Sequence, residues 1–223
     1  MLLGLAERQP ELTGRAGRCL CTADFSFRWS DIFTVCNIPS EEIVLKARPT
    51  EEGGRPHFAP TPLEEVVTTI AEASPALVCA PHVETATGIM LPDDYIAAVA
   101  AATHAAGGLF VLDCIASGNV WADMEATGVD VLISAPQKGW TGPACCGLVL
   151  MSERARAVLD DEEQQPEVNS FCCNLKKWCD VMDAYEDGGF MYCELTGHSY
   201  AFCAVFRLIG RAVKQTRRCP PTH

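Results

Sequence analysis

Apolar and polar positions along the chain fall into distinct regimes. Residues 1–24 show no clear periodic pattern. From about 63 to 159 the pattern alternates between helical and strand periods, as an α/β domain requires. Thr61, Pro62 and Glu64 offer an N-cap, a proline at the first helical position and a capping-box acid. Leu63, Val66, Val67 and Ile70 then share one helical face, and Pro75 ends it. Residues 76–80 are a short apolar run of strand type. Pro92, Asp93 and Asp94 start a second helix, with acids in the first turn where the helix dipole favours them. It runs through Ile96, Val99 and Ala100 and stops at Gly107 and Gly108. Strand-type runs follow at 109–113, 129–134 and 147–151, and Ser152 is placed to cap the helix after the last. Further on, 160–169 is a polar, acidic connector, and 171–215 holds helix-forming segments such as 200–213 without a strand pattern.

Strand, helix, strand at this spacing predicts right-handed crossovers and a mostly parallel sheet covered by helices. Functional residues in such sheets gather at the carboxyl ends of the strands. Asp113 is the last residue of its strand, and Lys138 lies just beyond the end of another. The sheet is therefore expected to bring these two together.

Composition narrows the partners. A formal net charge of -12 repels phosphate backbones and anionic lipid, which argues against nucleic acid and membrane as partners. No apolar run approaches the length of a membrane span, and the N-terminus lacks the basic start and long apolar stretch of a secretory signal. Thirteen cysteines would suggest a disulfide framework in a small secreted protein. Here Cys145–Cys146 and Cys172–Cys173 are adjacent pairs, which suit neither a disulfide nor a zinc site, and Cys79 and Cys114 sit inside apolar runs. Small buried hydrophobes are the simpler role, which points to a reducing, cytoplasmic setting and to no metal.

Four segments carry candidate chemistry. His82–Gly88, HVETATG, is a hydroxyl- and glycine-bearing turn after a strand; taken alone it is more simply a strand-to-helix turn with a capping Thr, and it also suits an anion or cofactor ring. Asp113 in FVLDCIAS could bind a ribose, a magnesium ion or a pyridinium nitrogen, or simply cap a turn; the GxGxxG that accompanies a ribose role is absent. Gln137–Lys138 in SAPQKGWTGPACCG is flanked by Trp140, Pro143 and the apolar run 147–151. That setting predicts partial burial and an amine usable for a Schiff base. Gly188–Tyr192 is a glycine turn followed by aromatics.

In order and spacing, HVETATG, LFVLDCIAS, GVDVLISAPQKGW and PACCGLVLMSERA closely resemble the class V aminotransferases, the group that includes alanine-glyoxylate and serine-glyoxylate aminotransferases. The resemblance runs from about 25 to 192, leaving 1–24 unassigned and 193–223 as a divergent tail. It implies the large domain of the pyridoxal 5'-phosphate (PLP) fold type I, with the small C-terminal domain largely missing, and a homodimer. It places the Schiff-base lysine on Lys138, the partner of the pyridine nitrogen on Asp113, and further cofactor contacts on Thr85, Gln137, Ile115 and Tyr192. The implied reaction is transamination between a small amino acid of the alanine or serine type and a 2-oxo acid such as glyoxylate or pyruvate. Gln137 favours this branch over the cysteine desulfurases, which typically carry histidine there. The pattern departs from the family in lacking a glycine-rich phosphate loop and a stacking aromatic upstream of Thr85, and in having Leu195 where a Thr is usual. A truncated, non-catalytic fragment and a PLP lyase or desulfurase are the alternative readings.

Overall fold

The computed structural model describes residues 18–22, 27–36, 41–161 and 172–186. Its centre is a six-stranded sheet built from β1 (Arg18–Thr22), β2 (Glu41–Leu45), β3 (Leu77–Pro81), β4 (Leu109–Asp113), β5 (Val131–Ser134) and β6 (Leu148–Met151). The spatial order is β6-β5-β4-β3-β1-β2. Neighbours from β2 to β5 all pair in parallel, in agreement with the expected α/β architecture. The exception is β6, which runs antiparallel to β5. A parallel return needs a crossover element, and the 135–147 connection contains no helix, so the chain comes back the opposite way.

Alternation along the inner strands separates two cores. Leu77, Cys79, Leu109, Val111, Val131 and Ile133 face one side. There they meet Phe33 of α1 (Phe27–Cys36), Ala155 and Leu159 of α4 (Glu153–Asp160), and Leu175 and Cys179 of α5 (Leu175–Glu186). Val78, Ala80, Phe110, Leu112 and Leu132 face the other side, against Val66 and Ile70 of α2 (Leu63–Ala73) and Ile96, Val99 and Ala100 of α3 (Asp93–Ala105). Both faces of β3 are buried, which is why its sequence is continuously apolar rather than alternating.

Several local expectations change. Thr61 does not cap α2: Pro62 occupies the N-cap position without a side-chain bond. The Thr61 hydroxyl instead donates to the Lys46 carbonyl at 3.1 Å, and its own carbonyl accepts from the Tyr95 hydroxyl at 2.8 Å. Ser152 does cap its helix, accepting from the Ala155 amide. Strand β1 lies inside the segment without periodic pattern, where five residues between two parallel neighbours are too few to mark a period. The helical segment expected at 200–213 lies outside the described residues, as does most of the 160–169 connector.

Candidate functional site

Three loops meet at the carboxyl ends of β3, β4 and β5. The first is a hairpin rather than a strand-to-helix turn: Val83–Glu84 pairs antiparallel with Ile89–Met90. Neither Thr85 nor Thr87 caps a helix. Glu84, only 1% exposed, closes the turn by accepting from the Ala86 amide at 3.0 Å. Gly88 takes a positive φ of 72°, which glycine adopts without strain. Thr85 stands exposed at the tip, and the Thr87 hydroxyl is buried without a hydrogen-bond partner.

The second loop begins at Asp113. Its carboxylate accepts from the Ile115 amide at 2.9 Å, and its carbonyl accepts from the His82 amide at 2.9 Å. Burial pushes the Asp113 carboxyl above its usual range, against the Ile115 bond, which pulls it down. Glu84 adds to the rise, while the positive charges of Arg28 and Lys138 oppose it. The charge of Lys138, 25 positions further along the chain, therefore reaches the Asp113 carboxyl at the end of the sheet. Beneath them His82, Cys114 and Ser117 form a buried polar cluster. His82 Nδ1 lies 2.8 Å from Ser117 Oγ and 3.9 Å from Cys114 Sγ. Burial lowers the His82 imidazole pKa and raises the Cys114 thiol to about 12.

The third loop carries Gln137 and Lys138, both exposed. The partial burial expected of Lys138 is not found. Trp140, expected to cover it, turns its indole N–H to Ser134 Oγ at 2.9 Å and packs edge-on against Trp121, with centroids 4.7 Å apart. Ile115 is half-buried beside Asp113. Tyr192 lies outside the described residues. Cys145 is exposed rather than packed, and burial with its neighbour raises the Cys146 thiol to about 11, the wrong direction for a nucleophilic thiolate. Among the described residues the cysteines form no disulfide, and no cluster of three or more His, Cys, Asp or Glu is placed to hold a metal ion. No described helix is long and apolar enough to cross a membrane.

The sequence reading attended to Thr85 in HVETATG and passed over His82, Glu84 and Ser117. Burial distinguishes these three, and their one-dimensional signal is only that polar residues directly follow buried strands.

As a donor set, a carboxylate at a strand end, a primary amine whose charge reaches it, and exposed hydroxyl and amide groups on flanking turns fit the ring end of PLP. Comparison with known proteins agrees. Residues 41–212 match the family model described as Aminotransferase class-V. Alanine--glyoxylate aminotransferase 1 of Saccharomyces cerevisiae is 27% identical over 132 residues, 59% of this chain and 34% of that protein. The Oryctolagus cuniculus alanine--glyoxylate aminotransferase is 28% identical over 127 residues, 56% of this chain and 31% of that protein. The chain thus matches about a third of the length of these relatives. Among solved structures, ureidoglycine-glyoxylate aminotransferase from Bacillus subtilis shares the fold with a TM-score of 0.68 at 18% identity, covering 93% of this chain and 49% of that one.

Proposed function

Because the chain belongs to the class V aminotransferase family, we propose that it supports PLP-dependent transamination between a small amino acid and a 2-oxo acid, with Lys138 as the cofactor lysine. What supports this reading is the placement of Asp113 at the carboxyl end of β4 and of Lys138 in the loop that leaves the same end of the neighbouring parallel strand β5. When bound, PLP supplies an electron sink for bonds at the substrate's α-carbon. Lys138 Nζ would hold the cofactor, and its free amine would serve as the base and acid that moves a proton at the substrate's α-carbon. Asp113 would hold a proton at the pyridine nitrogen. Burial alone favours its neutral form, so a cation at that nitrogen would draw it back to the carboxylate. Thr85, Gln137 and Ile115 would supply further cofactor contacts, and Tyr192 one more in a homodimer. Alanine or serine as donor and glyoxylate or pyruvate as acceptor are the substrates this reading favours. The setting is cytoplasmic.

The test is a visible absorbance spectrum of the purified chain with added PLP, repeated on Lys138→Ala, followed by keto-acid detection across amino donors. A lysine-dependent band with keto-acid release supports the proposal. A band with sulfide release would move the chain to the desulfurases. No band would mean that the family label describes ancestry rather than activity, and a covalent cofactor persisting in Lys138→Ala would overturn the lysine assignment.

A further inference from the structure

Lys138 is exposed, so packing around its side chain does not set its position. What fixes its loop lies one residue on. A Cβ built on Gly139 would fall 2.0 Å from the Gly118 carbonyl oxygen and 2.7 Å from the Gly118 Cα. The lysine loop therefore sits backbone-to-backbone on the turn at Gly118, at a spacing only glycine permits. Gly118 itself has a φ of 62°.

That turn is held from below. The Ser117 amide donates to the Cys114 carbonyl at 3.2 Å, and the Cys114 amide donates to the Ile133 carbonyl of β5 at 2.7 Å. The Ser117 side chain, in a residue 7% exposed, meets Nδ1 of His82, itself 2% exposed. His82 is anchored through its backbone, donating to the Asp113 carbonyl and accepting from the Leu91 amide, both at 2.9 Å. A continuous line of contacts thus runs from the end of β3 through His82, Ser117, Gly118 and Gly139 to Lys138.

We propose that His82 and Ser117 are positioning residues for Lys138: their buried hydrogen bond fixes the Ser117–Gly118 turn, and that turn seats Gly139 and the lysine loop. The functional meaning rests on Lys138 being the cofactor lysine; the mechanical claim does not. Two amides report on the seat directly, because Thr141 N–H donates to the Lys138 carbonyl at 3.2 Å and Gly142 N–H to the Pro136 carbonyl at 2.8 Å.

The experiment is hydrogen exchange at these amides, without cofactor, in Ser117→Ala, His82→Leu, Ser117→Thr and His82→Asn, with the Phe110 and Asp130 amides as distant controls. Losing one net buried hydrogen bond should speed exchange at Thr141 and Gly142 about five-fold in the first two variants. The second two keep a hydroxyl, or an amide nitrogen near the place of Nδ1, and should stay within about two-fold of the parent on the same scale. Unchanged Thr141 and Gly142 exchange in Ser117→Ala, or equal acceleration at the controls, would overturn the proposal. Should those variants fail to fold, Gly139→Ala approaches the same contact from the other side with His82 and Ser117 intact; it too must speed these amides, and its failure to do so overturns the proposal. In a double-mutant cycle the effects of Ser117→Ala and Gly139→Ala must be non-additive, and additivity would sink the shared seat. With PLP added, a lysine-dependent band weakened in Ser117→Ala and restored in Ser117→Thr extends the result to the cofactor. The absence of any band in the parent would refute the functional reading while leaving the exchange result to stand alone.

Discussion

Asp130 sits at the start of β5, at the end of the sheet away from Lys138, and its substitution tests what holds the central strands in register. It is 2% exposed, and one carboxylate oxygen accepts from both the Phe110 amide and His104 Nε2, each at 2.8 Å. The other accepts from Ser152 Oγ at 3.2 Å. Asp130→Ala strands the Phe110 N–H where the residue is fully buried, a cost of about 1–3 kcal/mol. The His104 side chain is 34% exposed and regains water, so its loss adds little, and Ser152 adds about 1 kcal/mol. Relief of the buried carboxylate's desolvation offsets part of this, leaving a loss of about 2 kcal/mol. Asp130→Asn keeps one oxygen for the Phe110 amide and should lose about half as much. Urea unfolding measures both. At a slope of about 1–3 kcal/mol/M the Asp130→Ala midpoint should fall by about 1–2 M with the slope unchanged. A loss below about 1 kcal/mol, or an Asn variant as damaged as the Ala variant, would refute the idea that the stranded Phe110 amide dominates.

Asp113 leads to a pH prediction. Its carboxyl is raised above 3.8 in the folded chain, so the stability it contributes is full below pH 3.8 and is lost as pH rises through the raised value. Asp113→Asn should therefore be more stable than the parent at neutral pH, with the gap closing in acid, yet should bind PLP poorly; a variant less stable at neutral pH would contradict the sign. Among the described cysteines, thiol labelling at pH 8 followed by mass spectrometry should modify the exposed Cys36, Cys145 and Cys172 first. Cys114, held at about 12, and buried Cys79 and Cys179 should label only on unfolding, and early labelling of Cys114 would count against its burial. Gly108→Ala places a Cβ 2.4 Å from the Pro75 carbonyl oxygen just before β4, and should cost about 2 kcal/mol by thermal melting. A neutral result would mean that the α2–β3 connection yields more easily than its packing suggests.

The sheet was largely legible because its strands are short apolar runs between helical patterns, and burial on both faces produces that signal. Strands expected at 76–80, 109–113, 129–134 and 147–151 are found at Leu77–Pro81, Leu109–Asp113, Val131–Ser134 and Leu148–Met151. The antiparallel turn of β6 was not legible, because direction is set by what the connecting loop lacks rather than by the strand's own residues. Caps failed for a related reason. Thr61 has the chemistry of an N-cap, but its hydroxyl finds the Lys46 carbonyl, a partner fifteen positions away that no local pattern contains.

The site divides along the same line. Asp113 and Lys138 stood out as candidates because a strand-end carboxylate and a loop lysine are marked by what precedes them in sequence. The seat beneath Lys138 could not, since Gly118 and Gly139 are ordinary loop glycines until the fold sets one against the other at 2.0 Å from an added Cβ. The expectation of a partly buried Lys138 went wrong by treating the apolar residues near it in sequence as its packing partners. Trp140 spends its contacts on Trp121 and Ser134 instead. If Lys138 is the cofactor lysine proposed above, an exposed amine meets that need differently from a buried one: the close Gly139–Gly118 approach would supply the precision, and the amine would be open to attach and release its ligand.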